Sequence, residues 1–324
     1  MQPPWVAPML ATLRTRRPTG DNWAWELKWD GVRAMAHVHN GHVRFSNRSG
    51  GDISAGYPEL TIAPTALQLK SLLIDGEIVA IDTATGRPSF QLLQSRMHVR
   101  DPQRVRELSI SAPVQFIAFD LLHRDHENLT DFTYLQRRDE LLALDVGDAP
   151  GWQIPPHQIG DGASTWDIVE QFALEGAVAK RIDSRYESGR RSPEWVKVKR
   201  TLSQSFVIGG WQPGTGRRAA TVGSLTIGVH DTAGKLVCSG SVGSGLRDAD
   251  LDHLLHALTR IATESSPFIN AAPTDTRFVQ PVVVIDVKFT EWTDAETLRH
   301  PVFVSVRSDV DPLTVRRVEG STHQ

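Results

Sequence analysis

A single cysteine, Cys238, stands in 324 residues. One thiol cannot close an internal disulfide or build a cysteine-rich zinc site, and it suits a reducing, intracellular setting. No stretch approaches the roughly 18 consecutive apolar residues of a membrane span, so no membrane partner is expected. The opening MQPPWVAPML lacks the basic and then apolar pattern of a secretion signal. Positive charge is not in surplus either. A formal net charge of −3 excludes a broadly basic surface and leaves any grip on nucleic acid to local patches. The sequence holds no internal repeat and no low-complexity tract.

What is present is an ordinary globular composition, 40% hydrophobic and 23% charged, in a chain long enough for two cores. Patterning predicts strands at Trp25 to Trp29, Arg33 to His39, His42 to Ser46, Leu72 to Ile81, Val114 to Leu122, Ala177 to Ile182 and Trp195 to Lys199. Helical spacing fits Ser89 to His98, Thr133 to Leu144 and Thr165 to Leu174, with Thr165 as the expected N-cap of the last. After Lys199 the texture changes to short apolar runs between glycine turns, as in SFVIGGWQPGTGRRAATVGSLTIGVH, which signals a small antiparallel barrel. One helix, Asp248 to Thr263, interrupts it. The expected organisation is a first domain over 1–202, a barrel domain over 203–311 and a tail over 312–324, with the linker at Arg200 to Gln204.

In WELKWDGVR, alternation at period two puts Glu26, Lys28 and Asp30 on one strand face and Leu27 and Trp29 on the other. Taken alone, that face is either a solvated edge or the setting of a nucleophile. Lys28, Asp30, Gly31 and Arg33 spell KxDGxR, a pattern that chance produces on the order of 10⁻⁵ times per position at typical residue usage. Four more elements follow it: SNRSG at Ser46 to Gly50, LIDGEIV at Leu73 to Val79, EGAVAK at Glu175 to Lys180, and WVKVK at Trp195 to Lys199. Lys197 and Lys199, spaced i, i+2, present two ammoniums on one strand face while Val196 and Val198 turn to the core.

Together these motifs resemble the covalent nucleotidyltransferases, the family of DNA ligases, RNA ligases and mRNA capping enzymes. The likeness is greatest to minimal bacterial ATP-dependent DNA ligases and the ligase module of bacterial end-joining enzymes, and PMLAT, FQLLQSR, FIAFDLL and EWTDAETLRHPVF add to it. The resemblance implies an α+β nucleotidyltransferase (adenylation) domain with antiparallel sheets, followed by an OB-fold barrel. It implies that Lys28 attacks ATP to form lysyl-AMP, passes AMP to the 5′-phosphate of a nick in duplex DNA, and leaves the 3′-hydroxyl to expel it. An amine attacks phosphorus only when deprotonated, so nearby positive charge, from Lys197, Lys199 and a bound Mg²⁺ or Mn²⁺, serves the chemistry. The resemblance further places Glu77 on the ribose, Arg33 and Arg48 near ribose and nick phosphate, Phe119 against the base, and Glu26 where adenine is read. Glu175, with Glu77 beside it, is the expected metal carboxylate.

For DNA, the segment Arg181 to Arg200 carries seven basic residues against three acidic ones, with Tyr186 and Trp195 among them. Arg185 there and Arg217 in the barrel turn Gly216 to Arg218 are candidates for phosphate contacts, with Arg190 and Arg191 the most readily explained as a solvated loop. In RHPVFVSVRSDVDP the family motif that orients pyrophosphate is matched by Arg307 and Asp309, but Val310 stands where a lysine often follows, which bears on self-adenylylation. His37, His39 and His42 read as strand-surface histidines. The run Gly240 to Gly245 lacks the lysine and hydroxyl residue of a phosphate loop. Only 27 residues precede Lys28 in the sequence, too few for an extra DNA-binding or nicotinamide-reading domain, which favours ATP over NAD. The expectation is a monomeric cytoplasmic, nucleoid-associated bacterial repair enzyme, working with other repair proteins. Its rivals are an RNA ligase or capping-type guanylyltransferase, and a catalytically weak nick-binding scaffold.

Overall fold

In the computed structural model of the chain, the described residues are 3–318 apart from 69, 83–84, 148, 217–220 and 294, and apart from the side chains of 248–250 and 252. They divide into two compact units at Arg200/Thr201.

The first unit is built on two sheets. One contains β1 (Leu10–Arg14) and β2 (Trp23–Leu27). The other takes β3 (Val32–His39), β4 (His42–Asn47), β5 (Leu72–Ala80) and β6 (Val114–Arg124). The chain then returns to the first sheet with β7 (Gly176–Arg181) and β8 (Arg191–Lys199). Strand order is β1-β8-β7-β2 with Gln158–Ile159 at the edge, and β4-β3-β5-β6 with a short pair at Glu127–Asn128. Pairing is antiparallel throughout these ladders except between β1 and β8. Helices α1 (Phe90–Gln94), α2 (Pro102–Ser111), α3 (Tyr134–Leu142) and α4 (Ala163–Gln171) complete the unit. The outer face of the first sheet, with Trp25, Ala177, Ala179, Val196 and Val198, packs on Val169 of α4. That of the second buries Phe45, Ile74, Phe116 and Leu141. Between the two sheets lie Met9, Met35, Leu73, Tyr186 and Trp195.

The second unit is an antiparallel sheet of β9 (Leu202–Pro213), β10 (Val222–His230), β11 (Leu236–Val242), β12 (Arg277–Phe289) and β13 (Val302–Arg307), in the order β11-β10-β9-β12-β13. A bridge from Ser244 to Val302 joins its two edges, closing it towards a barrel around Phe206, Ile227, Val242 and Ile285. Helix α5 (Asp248–Arg260) packs Leu251, Leu254 and Leu258 into that core.

Several expectations are corrected. The strand expected at Trp25 to Trp29 starts at Trp23 and ends at Leu27, so Lys28 lies just past its end, and β2 is buried on both faces rather than a solvated edge. Helix α1 stops at Gln94 and does not reach His98, whose φ is +66°. The N-cap of α4 is Gly162, and Thr165 lies inside the helix with its hydroxyl on Gln158. Strand β1 and helix α2, capped by Asp101, carried no periodic signal strong enough to be predicted. Leu202 already opens a strand, so most of the expected linker is sheet. The expected tail packs on the second unit as far as Val318, with Val315 buried and the Val318 amide donating to Gln204. Among the described residues, no helix is long and apolar enough to cross a membrane.

The glycine of KxDGxR has a steric reason. The chain crosses from the first sheet to the second through Lys28 to Gly31 and lies against β5. A Cβ on Gly31 would sit 2.3 Å from the carbonyl oxygen of Ile78 and 2.8 Å from side-chain atoms of Glu77 and Val79. A backbone oxygen cannot rotate away, so Gly31→Ala is expected to cost about 1–3 kcal/mol, the range of overpacked cores. A clear fall in melting temperature would show this, and an unchanged melt would mean that the crossover is not pinned at Gly31.

Candidate active site

Registers of β7 decide which side chains meet. Val178 lies opposite Glu26 on one side and Lys197 on the other, so Glu26, Val178 and Lys197 form a row across three strands. Two residues along, Gly176 pairs with Lys199, and the Lys28 amide donates to the Gly176 carbonyl at 2.9 Å. Lys28 therefore sits in register with Lys199 although the strand has formally ended. Two residues the other way, Lys180 faces Trp195. Period-two alternation thus gathers Glu26, Lys28, Lys180, Lys197 and Lys199 on one face. The second sheet answers with Arg33 directly opposite Glu77 on β3 and β5.

Glu175 is the hinge of the charge arrangement. Its carboxylate accepts from Lys28 Nζ and, at 2.9 Å, from Lys199 Nζ. Against a burial effect that would raise it, these two ammoniums hold the Glu175 carboxyl below the usual carboxylate range. Gly176 makes this possible: its φ is +150°, and a Cβ there would lie 2.1 Å from the Val198 carbonyl oxygen. Lys197, flanked by Lys28, Arg191 and Lys199, is pushed below the ordinary lysine range, first by burial and then by those cations. Arg191, exposed as expected, opens strand β8 rather than lying in a loop, lines a cavity beside Lys197 and donates to the Ala11 carbonyl at 2.5 Å.

Arg33 is held by Asp75, which accepts from Nε and Nη2 at 2.6 Å each and also from the Tyr186 hydroxyl at 2.6 Å. Burial works against the Arg33 cation, and Asp75 more than offsets it. Tyr186 and Trp195, expected beside a phosphate backbone, are core residues; Tyr186 anchors Asp75 and accepts from the Met9 amide. Tyr186 turns inward although Arg185 beside it is exposed, and Trp195 lies on the inner face of β8. Phe119 lines the cavity, and its ring centroid lies 4.5 Å from both the Arg33 guanidinium and Lys180 Nζ. Glu26 is buried, receives the Tyr134 hydroxyl, and pairs with Lys180 at 2.7 Å. Burial would raise its carboxyl, yet Lys180, Arg138 and Tyr134 hold it below the ordinary range.

One cavity is therefore lined by Glu26, Lys28, Arg33, Arg48, Glu77, Phe119 and Lys197 among others. Arg48 sits on an exposed turn that the Asn47 side chain orders by accepting from the amides of Ser49 and Gly51. Arg185 is elsewhere: it is exposed and, among the described residues, pairs with Asp131 at 4.0 Å. Arg307 and Asp309 belong to the second unit, where Arg307 pairs with Asp309 at 2.7 Å and Asp286 at 2.8 Å. Arg217, with Arg218, lies outside the described residues. His37 is buried against Ser46 rather than on a strand surface. Asp75, Tyr134 and Lys180 were missed as site residues. The signal for two of them was present, since Asp75 is i−2 from Glu77 and Lys180 is i−2 from Ile182 and i+2 from Val178 on the inward-facing side of a strand.

The Glu77 carboxyl is pushed upward, to about 7, by burial that Arg33 and Lys28 only partly offset and that Asp75 and Glu175 reinforce. A carboxyl that is raised on folding stabilises the fold below its unfolded value near 4.5, and that contribution is lost as pH rises through about 7. Glu77→Gln, which cannot ionise, is expected to gain on the wild type in melting temperature between pH 5 and pH 8. An equal offset at both pH values would remove Glu77 as the titrating group.

Comparison with known proteins adds three findings. Residues 8–199 match the family model described as ATP dependent DNA ligase domain, and residues 218–310 match ATP dependent DNA ligase C terminal region. The chain is 38% identical over 317 residues to the multifunctional non-homologous end joining DNA repair protein LigD of Mycobacterium tuberculosis, covering 96% of this chain and 40% of that protein. It is 30% identical over 315 residues to a DNA ligase of Thermococcus fumicolans, covering 93% and 54%. The chain thus spans about two fifths of the length of the LigD relatives. Among solved structures it resembles mycobacterial DNA ligase D complexed with ATP and MES, at 36% identity and a TM-score of 0.55, covering 97% of this chain and 98% of that one.

Proposed function

The chain belongs to the ATP-dependent DNA ligase family, and on that premise we propose that it seals nicks in duplex DNA through a lysyl-AMP on Lys28. The observation that carries the reading is that Lys28, Lys197, Arg33 and Glu77 line one cavity, with the Glu175 carboxylate beside it shared between Lys28 and Lys199. In the first displacement Lys28 leaves Glu175, loses its proton and attacks the α-phosphorus of ATP, forming a P–N bond and releasing pyrophosphate. Lys197 and Lys199 face the α-phosphate and neutralise charge that builds on it, which is most of what phosphoryl transfer requires. In the second, an oxygen of the DNA 5′-phosphate attacks the same phosphorus and frees Lys28. In the third, the 3′-hydroxyl attacks the 5′-phosphate and expels AMP.

Other side chains bind and orient. Glu77 accepts from the ribose hydroxyls, Phe119 packs on the base, and Arg33 and Arg48 approach ribose and nick phosphate. Arg185 and Arg217 contact the DNA backbone, and Arg307 and Asp309 orient pyrophosphate. Among the described residues no three carboxylate, histidine or cysteine side chains gather as a metal cage. Glu77 and Glu175, with Glu77 short of compensating positive charge, suit a Mg²⁺ or Mn²⁺ ion that takes its other ligands from phosphate and water. Such an ion supplies charge neutralisation on the phosphates. The adenylation unit would span 1–202 and the OB-fold domain 203–311, the enzyme would act as a monomer, and the end-joining role named for its LigD relatives favours repair of broken DNA, at the nucleoid, beside other repair proteins.

The test begins with pyrophosphate treatment to clear any preloaded AMP. Incubation with α-labelled ATP and Mg²⁺ is expected to label the protein through Lys28, and addition of nicked duplex to transfer the label and close the nick. Lys28→Ala is expected to lose labelling altogether. Undiminished label on that variant, or none on the wild type, would sink the mechanism, and preferential labelling by GTP would point to a capping-type enzyme.

A further inference from the structure

Trp5 leaves 45% of its surface open. A lone exposed hydrophobic residue is ordinary, so its place decides its meaning. The segment that bears it is anchored on both sides. Pro3 is buried, the Ala7 carbonyl accepts from the Gly189 amide at 3.0 Å and the Ser188 hydroxyl at 3.1 Å, and the Met9 amide donates to the Tyr186 hydroxyl at 2.9 Å. Between these anchors the indole lies on the SNRSG turn. A Cβ on Gly50 would sit 3.2 Å from Cε2 and 3.5 Å from Nε1 of Trp5, and Gly50 has a φ of +87°, so the ring rests where the turn requires glycine.

The same turn carries Arg48 into the lining of the cavity. Its other polar groups are spent within it. The Asn47 side chain accepts from the Ser49 and Gly51 amides and the Ser49 hydroxyl, and the Asn47 carbonyl accepts from the Gly50 amide at 2.9 Å. Arg48, by contrast, has no ion pair among the described residues. The turn therefore presents one cation and, against it, one flat apolar ring on a rigid base. A nucleotide offers the counterparts, an anionic phosphate beside a flat base.

We propose that Trp5 is a DNA-contacting residue whose open indole face stacks on a base next to the phosphate that Arg48 meets. The inference rests on the nick-sealing reading above and adds a contact to it. Every base has a π-face, so such a contact tolerates any sequence at the nick. One strand is interrupted there, and a base beside the break leaves its stack at less cost than one within continuous duplex. The anchored segment also leaves the ring little freedom to lose on binding.

The test measures binding of the whole chain, without divalent cation, to a nicked duplex ending in a 3′-dideoxynucleotide, between about 50 and 200 mM salt. Trp5→Leu covers Gly50 but offers no flat face, and is expected to weaken binding about fivefold or more. Trp5→Phe is expected to recover most of that loss. Stacking releases no counterions, so the slope of log affinity on log salt is expected to keep its wild-type value, whereas a lost phosphate contact flattens it by about 0.9. Unchanged binding by Trp5→Leu overturns the inference. So does weaker binding with a flattened slope, which would make Trp5 only a support for Arg48. Each variant is checked for a cooperative melt, and Trp5→Gln replaces Trp5→Leu if the latter does not fold. Covalent labelling by α-labelled ATP, which involves no DNA, is expected to match wild type, and reduced labelling of a folded Trp5 variant also overturns the inference by placing the effect in the nucleotide cavity. A wild type that neither labels nor binds the nick overturns the nick-sealing reading instead.

Discussion

Between Gly176 and Arg181, strand β7 hydrogen-bonds to β2 along one edge and to β8 along the other. Its register therefore decides which side chains share the cavity. A slip of one residue against either neighbour would turn Val178 and Lys180 to the outer face and bring Ala177 and Ala179 inward. The slip is prevented from both faces. Outside, Ala177 and Ala179 are small enough to let Trp25 and Val169 pack on them. Inside, Glu26 and Lys180 form an ion pair that only one register allows. Gly176 extends the same constraint past the strand, because only a residue without a Cβ lets Glu175 come beside Lys199 there.

With that register fixed, the charges follow a simple logic. Lys28, Arg33, Arg48, Lys180, Arg191 and Lys197 outnumber Glu26 and Glu77 in the lining of one cavity, with Asp75 and Glu175 paired to that lining and Lys199 to Glu175. The buried members are matched in pairs, Asp75 with the half-buried Arg33 and Lys180 with Glu26. Such pairs stabilise little in themselves, but breaking one leaves a buried charge alone, so they fix geometry. The surplus of positive charge lies towards Lys197, Lys199 and Arg191, which suits a polyphosphate. A chain of net charge −3 thus concentrates cations where a phosphate-handling site needs them.

Much of this was legible in the sequence because it is carried by strands. Period two placed Lys197 with Lys199 and Val196 with Val198, and the structure sorts them to opposite faces as that period requires. The glycine-turn texture after Lys199 read correctly as an antiparallel barrel for the same reason. What escaped was set by contacts distant in sequence. Tyr186 reads as one aromatic in a basic stretch, and only the fold shows that its hydroxyl serves Asp75, 111 residues away. Tyr134 is separated from Glu26 by 108 residues. Strand β1 pairs with β8 across some 180 residues, and its own sequence, LATLR, has no alternation of its own. The helix start at Gly162 was misplaced because Thr165 is a good cap by type, while its hydroxyl is taken by Gln158.

The resting state of Lys28, the proposed nucleophile, is the last consequence of the arrangement. An ammonium hydrogen-bonded to a carboxylate cannot attack phosphorus, yet Lys28 rests on Glu175. The second ammonium on Glu175, from Lys199, makes the exchange feasible, since Glu175 stays paired when Lys28 departs. On the proposed mechanism, an entering α-phosphate would offer its anionic oxygens to Lys197 and Lys199. The same principle applies to Arg307, whose pairs with Asp286 and Asp309 are exposed enough to be exchanged at small cost. Val310 removes one cation from that motif. On the proposed mechanism, a greater part of the charge neutralisation at the first step would then fall on Lys197 and Lys199, the pair that β8 holds in place.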